Sequence, residues 1–263
     1  MRPQPYIGVT GITSHAQANA LMSVVKKEHN LLIMLGMLVS NKTLHGEPNK
    51  WPKRYPNIEK LSTIFPDHSK ALNLIHFNSK MQGCLLDDML LAQEMAGPHC
   101  HGFQLNIAWP DKKMIELYKM HRAFVRKRVV LQCGGGAMGE MDWKPEKIAQ
   151  RVREYQGLVD YVLIDPSGGL GKDFDGEFAD ECFSELSVAV PDVGLVIAGG
   201  LHKGNVVSKL PPLLIDHVLS WDAEGKLRTS EDDLDIKASQ DYVTASISLS
   251  RYVRALNEKS HCM

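Results

Sequence analysis

Residues 159–175 read VDYVLIDPSGGLGKDFD, and this stretch decides what kind of fold the chain builds. Five of the six positions from Tyr161 to Pro166 are apolar or aromatic, the exception being Asp165 at the carboxyl end. A short apolar run bounded by Pro and Gly predicts a strand covered on both faces, as in a parallel sheet. A carboxyl at the tip of such a strand adds nothing to packing, so it points to chemistry at the strand end. The loop behind it carries Gly168, Gly169 and Gly171, and glycines let backbone N–H groups close on an anion with no Cβ in the way. The stretch reads as a strand ending in a carboxylate beside a phosphate seat, the plain alternative being an ordinary Gly-rich connection.

Working outward, seven further apolar runs alternate with helical stretches: Tyr6–Thr10, Leu31–Val39, Ala71–Phe77, Phe103–Ala108, Val129–Cys133, Gly194–Ala198 and Ile215–Leu219. Strand and helix in alternation predict a parallel sheet. Eight strands, each with a helical partner, predict closure into a single-domain (β/α)8 barrel over residues 1–263, a usual length for that fold. Ser14 is placed to cap the first helix and Pro145 to open the one that buries Ile148 and Val152.

Composition narrows the function. Of 263 residues, 44% are hydrophobic and 23% charged, with a net charge of −1. The balance argues against a nucleic-acid or anionic-membrane surface, and no apolar run is long enough to span a membrane. The opening residues lack the apolar core of a signal peptide, so a cytoplasmic protein is expected. Five scattered cysteines without a CxxC indicate neither a disulfide framework nor zinc. The cluster around Cys100, PHCHGF, reads as a turn before a strand, so no metal and no cofactor are expected.

In a barrel of this kind the chemistry sits where the strands end. The predicted tips are Thr10, Ser40, His76 or Asn78, Asn106, Gln132 or Cys133, Asp165, Gly199 with Gly200, and Ser220. The pocket is therefore polar with one obvious acid, Asp165. Gly199 and Gly200 precede a short helix whose first N–H groups suit an anion, so phosphate is predicted there too. The long Pro-rich loop 40–57 follows a strand, which makes Lys53 and Arg54 candidates to meet an anionic ligand. A charged excursion, Asp222 to Asp235, is expected after the last strand and reads as a lid or a surface loop.

Four segments fall in a telling order: GVTGITSHAQANAL near the start, PKRYPNIEKL in the second loop, LIDPSGGLGKDFD after the sixth strand and IAGGLHKGNV after the seventh. The chain resembles phosphoribosylanthranilate isomerase, the barrel enzyme of tryptophan synthesis, most specifically in the last two segments. That family converts an aminoaldose phosphate to an aminoketose without metal or organic cofactor. The resemblance implies a phosphorylated small molecule as ligand, Asp165 as general acid, Arg54 on a ligand carboxylate, and Gly169, Gly171, Gly199 and Gly200 around the phosphate. Asn106, Gln132 and Ser220 are the remaining candidates to touch substrate, and the assembly, monomer or homodimer, stays open.

The departures are equally specific. The family's base is a cysteine in the first strand, where this chain has Thr10 in GVTGIT; a hydroxyl is far too weak an acid to replace a thiol unaided. The family's Gln-Leu-His-Gly run is Gln104-Leu105-Asn106-Ile107 here, and its Ser-Ser-Gly-Val-Glu run is Ser220-Trp221-Asp222-Ala223-Glu224. Cys133 and Asp222 are the tip residues able to stand in for the missing base. The leading expectation is an isomerase or lyase on a sugar phosphate; the alternative is a non-catalytic, phosphate-binding barrel that has lost its base.

Overall fold

A computed structural model describes residues 2–26, 31–167 and 175–260. Eight parallel strands, β1 (Tyr6–Thr10), β2 (Leu32–Ser40), β3 (Ala71–Asn78), β4 (Gly102–Leu105), β5 (Arg128–Cys133), β6 (Tyr161–Ile164), β7 (Gly194–Ala198) and β8 (Leu219–Ala223), hydrogen-bond in chain order and close into a barrel. The helices around it are α1 (His15–Met22), α2 (Asn41–Leu44), α3 (Leu85–Ala96), α4 (Lys112–Met120), α5 (Gly135–Glu140), α6 (Pro145–Arg153), α7 (Gly176–Ala189), α8 (Lys203–Lys209), α9 (Pro211–Asp216) and α10 (Ile236–Ser260). Ser14 caps α1 through Gln17 N at 3.3 Å, and Pro145 opens α6, as their positions in the sequence predict. Among the described residues no helix is long and apolar enough to cross a membrane.

Two departures from a regular barrel matter for the mouth. Between β2 and β3 the chain builds only the four-residue α2 and two 3₁₀ turns, Pro52–Arg54 and Ile58–Thr63, instead of a full helix. Pro48, Pro52, Pro56 and Pro66 punctuate that stretch and interrupt any helical ladder. The eighth strand also lies later than the apolar run suggests: Ile215 belongs to α9, and β8 starts at Leu219.

Side chains on each strand alternate between two layers. One set, including Val9, Ile33, Phe103, Leu131, Val162 and Ile197, packs against the helices. The other fills the barrel interior with Tyr6, Met34, Leu72, Leu74, Val130, Tyr161, Leu163 and Val196. Two residues further along the same strands the inward positions turn polar: Leu74 leads to His76, Val130 to Gln132 and Leu163 to Asp165, all buried. Thus the lower half of the barrel is a hydrophobic plug and the upper half a polar storey beneath the mouth.

Glycine makes that storey possible. A Cβ on Gly8 would lie 2.6 Å from Asp222 Oδ1, and one on Gly36 2.5 Å from Thr10 Oγ1. Both distances are far inside van der Waals contact, so β1 and β2 each give up a side chain to make room for a polar neighbour.

Candidate active site

A cavity of about 230 Å³ opens at the carboxyl ends of the strands. His76 of β3, Asn106 after β4, Gln132 of β5, Asp165 after β6 and Glu224 after β8 line it, together with the backbone of Gly134 to Ala137 at the start of α5. These five strands contribute because their inward alternation carries on to the strand ends: His76 and Gln132 lie within the last ladder pairs, and Asn106, Asp165 and Glu224 one step past them. Asp165, Gln132, Asn106 and His76, all expected at strand tips, are brought together here by the fold.

Asp165 is 6% exposed, and burial pushes its carboxyl above the ordinary range. Hydrogen bonds from Ser167, whose Oγ donates to Oδ1 at 2.6 Å, and the nearby His76 work against that rise, while Glu224 adds to it. Desolvation leads because no lysine or arginine among the described residues lies against the group. His76 shifts the opposite way: burial lowers its pKa, opposed by Glu224 and Asp165, so the imidazole is held neutral. Its Nδ1 is buried with no hydrogen-bond partner among the described residues. A carboxyl biased toward its protonated form and an imidazole biased toward its neutral form thus face one cavity, the pairing that acid–base chemistry needs.

Below the cavity lies a second carboxyl. Asp222 accepts from Thr10 Oγ1 at 3.2 and 3.3 Å and from Gln104 Nε2 at 3.3 Å. Burial, reinforced by the charge of Glu224, pushes it up to about 7. Gln104 Nε2 also donates to Gln132 Oε1 at 3.1 Å, and Gln132 Nε2 to Asp165 Oδ2 at 3.5 Å.

Several sequence-derived candidates fall elsewhere. Cys133 follows Gln132 and therefore faces the opposite side; it is fully buried among the helix-facing core residues, near Cys182 of α7, and burial pushes its thiol up. It lies outside the lining of the cavity and is no base for it. Thr10 is 1% exposed, with its hydroxyl turned to Asp222, and it too is absent from the cavity lining. Ser220 belongs to the lower end of β8, where its Oγ accepts from Tyr6 N at 3.0 Å; the later start of β8 takes it away from the mouth. The same correction puts Asp222 inside the strand instead of opening a lid.

Arg54 does not point a free guanidinium at the cavity. Its Nε and Nη2 grip Asp232 at 2.9 and 2.8 Å, its Nη1 meets Glu224 at 3.2 Å, and its face lies 4.7 Å from the Trp51 ring. It ties the β2 loop to the segment after β8, with Glu224 as the link to the cavity. Arg228, its side chain 3% exposed, reaches within 3.8 Å of the same Glu224 and lies over Gly11, whose φ of 100° admits no ordinary side chain.

Gly199 and Gly200 adopt φ of 124° and 60°, the left-handed region that favours glycine. A Cβ on Gly199 would stand 3.5 Å from Ser167 and 3.6 Å from Asp165, so Gly199 borders the acid. The helix end beyond them is already capped, since His202 Nδ1 accepts from Gly204 N at 3.0 Å. Gly169 and Gly171 lie outside the described residues. Sequence reasoning missed Gly134–Gly136 and Glu224: the first are a third Gly-rich strand tip, visible in the sequence, and the second is hidden by the apolar run that mimics a strand upstream. No group of three or more His, Cys, Asp or Glu side chains among the described residues is arranged to hold a metal.

No protein-family model matches the chain, and no curated protein matches it in sequence. Solved structures do. Active domain 2 of the thermostable chitinase from Pyrococcus furiosus, as a catalytic-site mutant, superposes with a TM-score of 0.57 at 11% identity, over 94% of this chain and 96% of that one. Monomers generated from the dimeric phosphoribosylanthranilate isomerase of Thermotoga maritima give 0.56 at 17% identity, over 92% and 97%. The phosphoribosylanthranilate isomerase of Thermus thermophilus gives 0.61 at 16% identity, over 95% of this chain and the whole of that one. The chain is thus a (β/α)8 barrel with a fold like that of phosphoribosylanthranilate isomerase.

Proposed function

We propose that this barrel is an acid–base enzyme, an isomerase or lyase acting on a small phosphorylated polyhydroxy compound. The observation that carries the reading is the meeting of Asp165 and His76 in one cavity with opposite proton biases. Asp165 donates a proton to a substrate oxygen, and His76 removes one from the neighbouring carbon. Gln132 and Asn106 supply amides that suit hydroxyl groups, and Glu224 faces them from across the cavity. A phosphate is proposed beside Gly199 and Gly200, next to the acid. The alternative of a barrel without a base rests on Thr10 alone, and His76 supplies what Thr10 cannot.

Exchange of carbon-bound hydrogen tests this whatever the product is. A panel of aldose and ketose phosphates is incubated with the protein in deuterium oxide and followed by proton NMR. At least one member should lose a carbon-bound proton signal, and His76→Gln should slow that exchange by about 10²- to 10⁴-fold, the usual weight of a general base. A ligand at a hundred times its dissociation constant should also stabilise the protein by about 2.7 kcal/mol. No exchange and no stabilisation across the panel would remove the reading.

A further inference from the structure

Asp165 and Asp222 are joined by side-chain amides that run across the inside of the barrel. From Asp222 on β8 the contacts pass to Gln104 on β4, to Gln132 on β5 and to Asp165 at the end of β6, at 3.3, 3.1 and 3.5 Å. None of the four residues is more than 7% exposed.

A primary amide is directional, with hydrogens on one end and an acceptor on the other. As oriented here, Gln104 gives one amide hydrogen to Asp222 and one to Gln132, and Gln132 gives one to Asp165. Both carboxyls accept, which suits both being ionised. Turning both amides over reverses every bond: Asp222 O–H donates to Gln104 Oε1, Gln132 Nε2 donates to the same oxygen, and Asp165 O–H donates to Gln132 Oε1. Mixed arrangements set two oxygens or two N–H groups against each other, which is costly between side chains this buried. Gln104 Oε1 is buried with no partner among the described residues in the present orientation, so no donor on its far side pins the amide. The Thr10 and Ser167 hydroxyls donate to the carboxyls from outside the chain of amides.

We propose that Asp222 is a positioning residue for Asp165: through Gln104 and Gln132 it settles whether Asp165 meets the cavity as a proton donor or as a proton acceptor. The catalytic consequence rests on the acid role given to Asp165 above; the coupling itself does not. Its sign is distinctive. Repulsion between two carboxylates makes protonation of one ease the ionisation of the other, whereas the amide relay makes protonation of one favour protonation of the other. The remaining charged and titratable groups act through space. His76 and Glu224 face Asp165; Glu224, Tyr6 and Tyr242 face Asp222; and Arg54 and Arg228 face Glu224. These influences survive when an amide is removed.

The test uses the full chain carrying ¹³C-carboxyl aspartate, titrated by NMR from about pH 3 to about pH 9, with the two signals assigned from Asp165→Asn and Asp222→Asn. In the unmodified protein the two signals should move together around a shared midpoint, with a slope steeper than that of one proton. Gln104→Met and, separately, Gln132→Met should split them into two ordinary one-proton transitions. Independent transitions in the unmodified protein overturn the proposal, and so does a shared steep transition that persists in either folded variant. If neither variant folds, the titration of the unmodified protein decides alone. Because no substrate enters, failure of the acid role shows separately, as deuterium exchange that persists in Asp165→Asn.

Discussion

Asp222→Asn takes an ionisable group out of the barrel interior while keeping its shape, and the sign of its effect follows from linkage. Burial is the main reason the carboxyl is raised, with Glu224 adding to the rise and hydrogen bonds from Gln104 and Thr10 opposing it. The unfolded chain releases this proton near pH 3.9, and the folded protein keeps it until about 7. Between those values the folded state holds the extra proton, so stability falls as pH rises. The contribution is fully present below the unfolded value and is lost once pH passes the folded one. From 3.8 to about 7 is a rise of roughly three units, which at about 1.36 kcal/mol per unit comes to roughly 4 kcal/mol. With Asp222 only 4% exposed, solvent screening does not reduce this figure much. Urea unfolding of both proteins at intervals across that range gives the difference directly. His76, whose depressed pKa works with the opposite sign, largely cancels between them. The unmodified protein should lose about 4 kcal/mol relative to Asp222→Asn from the acidic to the alkaline end. A flat difference, or one that grows in favour of the unmodified protein as pH rises, refutes the reasoning.

Three further predictions rest on other parts of the mouth. Gly36→Ala places a methyl 2.5 Å from Thr10 Oγ1 and 3.1 Å from its Cα; overpacking of this kind should lower stability by about 1–3 kcal/mol in chemical denaturation, and an unchanged midpoint would show that the strands simply part. Arg54→Met removes the grip on Asp232 and Glu224, which should cost about 1–3 kcal/mol and leave the protein less sensitive to salt; equal salt dependence in both proteins would mean the bridge contributes nothing. Gly200→Val, at φ 60°, should weaken phosphorylated ligands by at least about tenfold, some 1.4 kcal/mol, while sparing unphosphorylated analogues. Calorimetry showing equal losses for both ligand classes would assign these glycines to the fold.

The strand count, the barrel and the acid at position 165 are legible because fully buried parallel strands leave uninterrupted apolar runs and their tips break the run with a polar residue. β8 is not legible for the converse reason. Ser220, Asp222 and Glu224 all face the barrel interior, so 219–224 alternates instead of running apolar, while the apolar Leu213, Leu214 and Ile215 upstream belong to a helix opened by Pro211. Strict alternation is itself a strand signal, and it places Glu224 at the mouth and Ser220 at the base. Cys133 misleads because neighbouring residues at a strand end face opposite layers, so once Gln132 turns inward Cys133 cannot. Arg54 is legible as a mouth residue, but its partners Asp232 and Glu224 come from 170 and more positions away, a pairing that no local pattern announces.

The empty positions at Gly8 and Gly36 make the polar storey hard to reach or abandon one substitution at a time. Any side chain at position 8 collides with Asp222 Oδ1 and with the Met34 methyl. A larger residue can enter there only after Asp222 has shrunk, and shrinking Asp222 first leaves a void against a bare strand and takes one of the two acceptors from the Gln104 amide. Positions 8 and 222 are therefore joined as a lock across neighbouring strands: a lineage leaving this arrangement, or a designer borrowing it, must cross a destabilised intermediate or change both residues together.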